Sequence, residues 1–250
     1  MDRHFCRGSG HTVLGAPYRL AFLGWRRSPL RLRNMIANNG LAKRVKIAGR
    51  NGLAKFAGRE DLYNLEYYSY VDAEASRSAP TIVEAVISTF APRRVIDVGC
   101  GTGALLAAFQ SKGVSCVGLE YSVAALKICA QRGLSVYRFN IEGDQPQDLG
   151  KFDTVLCFEV AEHVSAQFAE PLVSLLVRLA PRVIFTAATP GQGGGADHVN
   201  EQPHKYWIGK FEKRGYRMLE GITEHWRRNW RENDVATFYA SNVMIFERAN

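Results

Sequence analysis

The chain lacks the cysteine pairs that mark disulfide frameworks and zinc sites. Its cysteines form no C-x-x-C pair and are odd in number, and four of the five fall in predicted core elements; they are Cys6, Cys100, Cys116, Cys129 and Cys157. Reduced thiols of this kind are typical of a cytosol-like compartment, so the expected location is cytoplasmic.

A long hydrophobic run is also missing. No apolar segment approaches the roughly 20 residues needed to span a bilayer, so no transmembrane segment is expected. The hydrophobic fraction of 46% is nevertheless ordinary for a globular protein with a sizeable core. A length of 250 residues suits one α/β domain with an extension.

Acidic residues are scarce in the first 60 positions, which hold 13 Lys and Arg against 2 acids, a net charge of +11. The remainder holds 19 against 22, a net −3, in a chain of total charge +8. We therefore predict a basic N-terminal extension over 1–60, partly disordered and unrelated to the chemistry. The alternatives are an arm that binds RNA or an acidic surface, an organellar transit peptide, and a flexible cover for the active site.

What the chain does contain is a glycine-rich turn between two predicted elements. A buried strand over Arg94–Val98 leads into Gly99, Gly101 and Gly103, and a helix over Ala104–Ser111 follows. Glycine has no Cβ to keep a ligand from the backbone, and it permits the positive φ values of a sharp turn. The helix N-terminus presents unpaired N–H groups. Together these features predict a ligand held above the turn.

The acid before the turn separates two kinds of ligand. Gly99, Gly101 and Ala104 satisfy the relaxed dinucleotide pattern G-x-G-x-x-G/A, which keeps an NAD-dependent oxidoreductase as an alternative. Asp97, at the end of a buried strand, is costly unless something pairs with it. It would repel a pyrophosphate and attract a ligand that carries an ammonium and a sulfonium.

Three motifs in order resemble those of the class I S-adenosylmethionine-dependent methyltransferases. Asp97-Val-Gly-Cys-Gly-Thr-Gly103 resembles the first motif, Asp/Glu-x-Gly-x-Gly-x-Gly, at every defined position. A second strand over 114–120 ends in Glu120, where a carboxylate can accept two hydrogen bonds from a ribose diol. Phe152-Asp-Thr-Val-Leu-Cys-Phe-Glu-Val-Ala-Glu-His-Val164 resembles the fourth strand of the family and the segment after it. The likeness covers residues 67–248.

The resemblance implies an α/β fold with a Rossmann-like, doubly wound sheet and helices on both faces. The expected sheet has seven strands in the order 3-2-1-4-5-7-6 with the last strand antiparallel. The implied cofactor is S-adenosylmethionine, bound at the carboxyl ends of the strands by a domain over 93–250. The residues implied to contact it are Asp97, Gly99, Cys100, Gly101, Gly103, Glu120, Tyr121, Asn140, Ile141, Glu142, Phe158 and Glu159.

In this family the segment before the first strand closes over the cofactor, so residues 61–92 are predicted to form a helical lid. Apolar spacing predicts a helix over Thr81–Phe90 with its start at Ser78-Ala-Pro80. Tyr70 and Arg77 are candidates to reach the methionine carboxylate or the substrate. Simple packing of the lid is the alternative for both.

Later elements are predicted from periodicity and β-propensity. Helices are expected over 165–179 and 205–214, and a fifth strand over 182–188. The last two strands are expected over 216–223 and 235–246. The basic and aromatic stretch 225–230 is interpreted as a strand end and loop, with single-stranded nucleic acid binding as the alternative.

Methyl transfer to oxygen or nitrogen needs an in-line arrangement and can need a base. Three histidines follow predicted strands near the expected crevice, and a satisfied structural role is the alternative for each. His198 is our first choice of base, with Asp197 and Asn200 as groups that could orient it, and His163 is the second catalytic candidate. His204 is assigned to the substrate side.

The residues after the fourth strand limit the acceptor. DNA amino-methylating enzymes carry [DN]-P-P-[YFW] there, whereas this chain has Cys157-Phe-Glu-Val160. No cluster of histidines and carboxylates stands out, so no metal site is expected. We expect methylation of oxygen, or of nitrogen as a close second, on a small-molecule or saccharide- or lipid-linked acceptor. A methyltransferase that binds or modifies RNA through the basic arm is the alternative, and the oligomeric state is left open.

Overall fold

Seven strands form one sheet in the computed structural model. They are β1 (Arg94–Val98), β2 (Ser115–Glu120), β3 (Val136–Arg138), β4 (Thr154–Phe158), β5 (Arg182–Thr186), β6 (Tyr216–Met218) and β7 (Met244–Arg248). Their order across the sheet is β3-β2-β1-β4-β5-β7-β6. Strands β1 to β5 pair in parallel, and β7 runs antiparallel to β5 and β6. The strand order and direction implied by the resemblance are confirmed.

The structure describes residues 63, 65–145, 148–192, 195 and 197–249, all within one compact unit, Lys43–Asn250. For Glu66 and Tyr70 it describes the backbone alone. The predicted extension over 1–60 lies outside the described residues.

The described residues form seven α-helices, and two short 3-10 helices follow β4. The α-helices are α1 (Leu65–Phe90), α2 (Ala104–Ser111), α3 (Val123–Gln131), α4 (Ala169–Leu179), α5 (His204–Glu212), α6 (Glu220–Glu232) and α7 (Thr237–Asn242). The 3-10 helices are Ala161–His163 and Ala166–Phe168. Among the described helices, none has both the length and the apolarity to cross a membrane.

Helices cover both faces of the sheet, as a parallel sheet requires. Successive side chains of a strand point to opposite faces, so Val95 packs with α1, α2, α6 and α7, whereas Ile96 packs with α4 and α5. All five residues of β4 are buried. Burial on both sides explains why the central strands are continuous apolar runs, and it leaves the polar residues that follow each strand at the carboxyl edge of the sheet.

The predicted start of the lid helix was wrong. Helix α1 begins at Leu65, and Pro80 lies inside it rather than at its first turn. A proline inside a helix removes one hydrogen bond and strains the backbone. The helix continues because Tyr68, Ala79 and Ile82 are buried along one face, and this burial outweighs the local cost.

The predicted last two strands were also wrong over most of their length. Strand β6 ends at Met218, and the stretch 225–230 lies inside α6 rather than at a strand end. Trp226 and Trp230, four residues apart, are 2% and 0% exposed and stack at 5.3 Å between ring centroids. Their burial on one helix face keeps both indoles from stacking on a nucleic-acid base.

Two smaller differences concern the elements after β4. The single helix expected over 165–179 is a 3-10 turn followed by α4, and Pro171 sits in the first turn of α4, where its missing N–H has no helical partner to lose. Strand β5 ends at Thr186 rather than at position 188. Gly215, the predicted end of the helix over 205–214, has a left-handed φ of 73°.

Candidate functional site

The turn after β1 has the backbone conformation that its glycines predict. Gly99, Gly101 and Gly103 have φ values of 77°, 53° and 76°. A Cβ at Gly99 would lie 2.4 Å from Val160, and one at Gly103 would lie 2.4 Å from Leu134. Those two glycines are therefore required by conformation and by packing alike. A Cβ at Gly101 would meet only the ring of Tyr68, at 3.7 Å.

Cys100, the predicted cofactor contact between the first two glycines, packs against the sheet. The Cys100 sulfur lies next to Gly118 of β2, and a Cβ at Gly118 would lie only 2.6 Å from it. The Cys100 thiol therefore packs between the glycine turn and β2.

Asp97 is a buried acid in the second-last position of β1. Its side chain is 2% exposed, and Oδ1 has no hydrogen-bond partner among the described residues. Burial, and then the neighbouring charge of Glu120, raise its pKa to about 8. No described lysine or arginine forms an ion pair with it. Such a group costs several kcal/mol unless a ligand compensates it.

Glu120 is buried too, but its carboxylate is occupied. Oε2 accepts from the Gly101 N–H at 2.8 Å, and Oε1 accepts from the N–H groups of Tyr121 and Ser122 at 2.8 and 2.7 Å. Burial raises its pKa, and these N–H groups oppose the rise. Glu120 thus fastens the glycine turn to the end of β2, a role the sequence analysis missed. A carboxylate has about four lone-pair sites, so about one remains for the predicted contact with a ribose diol.

The start of α1 lies over the glycine turn. The Tyr68 ring faces Gly101, and the backbone carbonyl of Tyr63 accepts a hydrogen bond of 3.0 Å from the Ser122 hydroxyl. Burial and the Glu120 charge raise the pKa of Tyr68 far above its ordinary value, so the hydroxyl stays protonated. Tyr68 was not predicted as a site residue.

An ion pair ties α1 to the turn and to α3. Arg132 donates to Asp72 at 2.8 Å and to the Thr102 carbonyl at 2.9 Å, and the Thr102 hydroxyl also donates to Asp72. The lid over residues 61–92 remains a prediction. The contact among Arg132, Asp72 and Thr102 fixes α1, the helical part of that segment, to the glycine turn.

Three predicted cofactor contacts, Asn140, Ile141 and Glu142, follow β3. The Asn140 side chain accepts from the Glu142 N–H at 3.0 Å, and the Asn140 N–H donates to Asp144 at 2.7 Å. Glu142 accepts from the Ser165 N–H at 2.7 Å. These bonds shape the loop and join it to the segment after β4, and half-buried Ile141 packs on the core between them.

The predicted site residues Phe158 and Arg77 lie in different environments, one in the core and one at the surface. Phe158 is 8% exposed and packs against Trp230 and Tyr239, inside the core. Arg77 is exposed and pairs with Glu74 at 2.6 Å and with Asp234. The Tyr70 side chain lies outside the described part of the chain.

His204 begins α5, where Arg227 approaches its Nδ1 at 3.3 Å. Burial and the charge of Arg227 lower its pKa. A lowered pKa keeps the ring neutral at physiological pH.

Glu159 follows β4 in a left-handed conformation that is rare for a residue with a side chain, with φ of 51°. Its N–H donates to the Thr186 hydroxyl at 2.8 Å, and its carboxylate accepts from Asn242 at 3.1 Å. Burial raises its pKa. With this backbone conformation, Glu159 lies directly after β4 and its carboxylate lies against Asn242 at the end of α7.

Two predicted catalytic histidines meet beside Glu159. The rings of His163 and His198 lie 4.8 Å apart, edge to face. His198 Nδ1 contacts the Glu201 carboxylate at 2.8 Å, so Glu201, which was not predicted, orients the ring. His163 Nδ1 lies 3.0 Å from the Tyr63 hydroxyl and 3.2 Å from the Asp197 carbonyl.

Glu162 lies beside the two histidines. It was not predicted as a site residue. The N–H groups of Val199 and Asn200 donate to its backbone carbonyl at 2.9 and 3.0 Å, which brings the loop of His198 next to it. Ligand atoms of Glu162, His163 and His198 lie within 4.8 Å of one another. The adjacent Glu-His pair is visible in the sequence, but His198 follows 35 residues after His163, so only the fold brings it to the pair.

Comparisons with known proteins agree with this geometry. The model of the methyltransferase domain family matches residues 69–236. A ubiquinone biosynthesis O-methyltransferase of Paracidovorax citrulli is 37% identical over 79 residues, 29% of this chain and 33% of that protein. The chain spans between 33% and 61% of the length of the curated relatives it matches.

Solved structures share the fold at low identity. The magnesium protoporphyrin IX methyltransferase of Synechocystis superposes with a TM-score of 0.54 at 16% identity, over 88% of this chain and 99% of that one. A sugar N-methyltransferase of Streptoalloteichus superposes with a TM-score of 0.55 at 16% identity, over 74% of this chain and 92% of that one.

Proposed function

This chain belongs to the methyltransferase domain family, and we propose that it transfers the methyl group of S-adenosylmethionine to an oxygen of a small-molecule acceptor. The cofactor supplies a methyl group activated by a sulfonium. Membership of the family removes the main support for the NAD-dependent alternative, because the glycine pattern that suggested it is accounted for by the first motif.

The unpaired carboxylate of Asp97 is the observation that carries the cofactor assignment. It is buried next to a second acid, and no described cation pairs with it. A ligand that carries positive charge would compensate it, whereas a pyrophosphate would add to the repulsion. The glycine turn beside it permits close approach to the backbone.

The remaining cofactor contacts are proposed from their positions after successive parallel strands. Glu120 follows β2, Asn140 and Ile141 follow β3, and Glu159 follows β4. The carboxyl ends of neighbouring parallel strands meet along one edge of the sheet, where ligands of such sheets bind. His163 and His198 follow β4 and β5 and are placed on the acceptor side.

The relatives support oxygen as the acceptor atom. The curated proteins that match are named for O-methylation, in ubiquinone biosynthesis and on magnesium-protoporphyrin. Nitrogen is the second candidate, because a sugar N-methyltransferase shares the fold. A saccharide- or lipid-linked acceptor is included in the proposal.

Calorimetric titration of the full chain with S-adenosylhomocysteine, NAD and NADP in parallel tests the cofactor. We expect S-adenosylhomocysteine alone to bind. Asp97→Asn preserves shape but removes the charge, so binding should weaken at least about 30-fold, roughly 2 kcal/mol.

The matched control is Glu212→Gln, which makes the same change from carboxylate to amide at the exposed end of α5 and should bind like the wild type. Binding of NAD without S-adenosylhomocysteine would overturn the proposal. Equal affinity in the Asp97 and Glu212 variants would remove Asp97 from the role.

A further inference from the structure

We propose that Glu162, His163 and His198 form a binding site for one divalent transition-metal cation on the acceptor side of the crevice. The binding site stands on its own observations, and only its use in catalysis rests on the proposed function. The proposal replaces the expectation of no metal site and the assignment of His198 as a general base.

The donor atoms are close enough for one ion. One ligand atom from each of the three residues lies within 4.8 Å of the other two. Metal–ligand bonds of about 2.0–2.2 Å bring neighbouring donors to roughly 3–4 Å. Small side-chain rotations would close the remaining gap, because both imidazoles are only partly buried.

The Glu162 carboxylate gives independent support for a cation. Its side chain is 0% exposed, neither oxygen meets a donor at full hydrogen-bond geometry among the described residues, and the carboxyl lies against the Glu159 carboxyl and the backbone of Ala188. Buried carboxylates are almost always paired, hydrogen-bonded or bound to metal.

In both His163 and His198, Nδ1 contacts residues other than the three proposed ligands. Nδ1 of His198 contacts Glu201, and Nδ1 of His163 contacts the Tyr63 hydroxyl and the Asp197 carbonyl. Hydrogen bonds from Nδ1–H to a carboxylate or carbonyl fix the tautomer in which Nε2 carries the lone pair, as at most metal-binding histidines. We therefore assign Nε2 as the ligand nitrogen of each ring.

Gly195 accommodates this arrangement. A Cβ at this position would lie 1.7 Å from His198 Nε2, so any other residue there would displace the ring. The imidazole of His198 therefore packs directly on the Gly195 backbone, and this contact fixes the position of the ring.

The donor set indicates which cation binds. Imidazole nitrogens suit transition metals such as Zn²⁺, Fe²⁺ or Co²⁺ better than Mg²⁺ or Ca²⁺, and the Glu162 carboxylate also suits Mn²⁺. Glu159 adds a second carboxylate close by, so two carboxylates would balance a divalent charge. Three protein ligands leave coordination positions open for an acceptor.

An open position gives the cation a role in O-methylation. A hydroxyl bound to the cation through its oxygen has a lowered pKa and releases its proton to solvent. The oxygen then forms the bond to the methyl carbon while the carbon–sulfur bond breaks. That electron pair remains on sulfur and yields S-adenosylhomocysteine.

Metal titration of the full chain tests the site. The protein is stripped with EDTA, dialysed, and titrated with Mn²⁺ followed by electron paramagnetic resonance, and with Co²⁺ followed by visible absorption. We expect about one specific equivalent per chain, since three ligands define one site. Glu162→Gln and His198→Ala should each weaken binding at least about tenfold, and Glu201→Gln should weaken it less.

His225→Ala is the matched control, because His225 is exposed on α6 and should leave the binding unchanged. S-adenosylhomocysteine titration of the same variants checks the fold and tests the proposed function separately. Retained cofactor affinity with lost metal affinity supports the site. A wild type that binds neither Mn²⁺ nor Co²⁺, or variants that bind them as the wild type does, would overturn it and leave the methyltransferase proposal standing.

Discussion

Two buried carboxylates stand at the carboxyl ends of neighbouring strands and differ in how they are satisfied. Glu120 accepts three backbone N–H groups and holds the glycine turn. Asp97 has an oxygen with no partner among the residues the structure describes. Glu120 therefore holds the turn as well as facing the proposed cofactor, whereas Asp97 depends on a ligand to compensate its charge.

The raised pKa of Asp97 predicts that cofactor affinity depends on pH. Without ligand the pKa is about 8, so at pH 6 to 7.5 most molecules carry a neutral Asp97. The ammonium of S-adenosylhomocysteine favours the ionised form, so binding releases a proton and strengthens as pH rises towards 8. We expect affinity for S-adenosylhomocysteine to rise about 20-fold from pH 6.0 to 7.5.

Calorimetry in buffers of different ionisation enthalpy measures both the affinity and the released proton. Glu212→Gln should keep the slope of the wild type. A wild type whose affinity is flat over this range would show that Asp97 is already ionised before the ligand binds.

At the scale of elements, the contact between α1 and α3 decides how firmly the lid covers the turn. Arg132 and Asp72 are each partly buried and share two hydrogen bonds, with Thr102 joined to both. A networked, bidentate pair of this kind contributes more than an isolated surface ion pair.

Loss of that contact should speed ligand release. Arg132→Gln is expected to raise the dissociation rate of S-adenosylhomocysteine several-fold and to lower stability by about 1 kcal/mol. Stopped-flow fluorescence and urea unfolding measure the two effects. Lys112→Gln, which breaks an exposed pair between α2 and α1, should change each by far less. Equal effects in the two variants would contradict the role of the α1–α3 contact.

Local patterns predicted the elements around the glycine turn and missed those that depend on distant contacts. The strand and helix that flank Gly99 were predicted to the residue, because conformation and burial agree there. Helix α6 was mistaken for strand and loop, since the indoles of Trp226 and Trp230 favour strands by propensity but are buried four residues apart.

The residues of the candidate site also separate into those that a local pattern predicts and those that depend on distant contacts. Asp97 and the glycines lie within one short segment, so their spacing alone identified them. Glu162 escaped notice because its significance depends on the loop of His198, which reaches it through backbone bonds from Val199 and Asn200. The contact between His198 and Glu201 depends on the conformation of the loop, so the sequence alone did not predict it.

On the scale of the whole molecule, ligand binding should stabilise the fold, because the crevice is built from the ends of several strands. At 100 times its dissociation constant, S-adenosylhomocysteine is expected to add about 2.7 kcal/mol. For a domain of this size that corresponds to a rise of about 5–10 °C in Tm. Differential scanning calorimetry measures the shift, and NAD at equal concentration should produce none. A shift with NAD of the same size would contradict a selective site.

The position of β7 has a consequence for how the protein is made. This strand follows all the others in the chain, yet it lies between β5 and β6. During synthesis β5 therefore keeps an unpaired edge until residues 244–248 have left the ribosome, and β6 has no neighbour to join. The nascent chain must keep that edge from pairing with other chains, and a chaperone that shields extended segments is most useful in this interval.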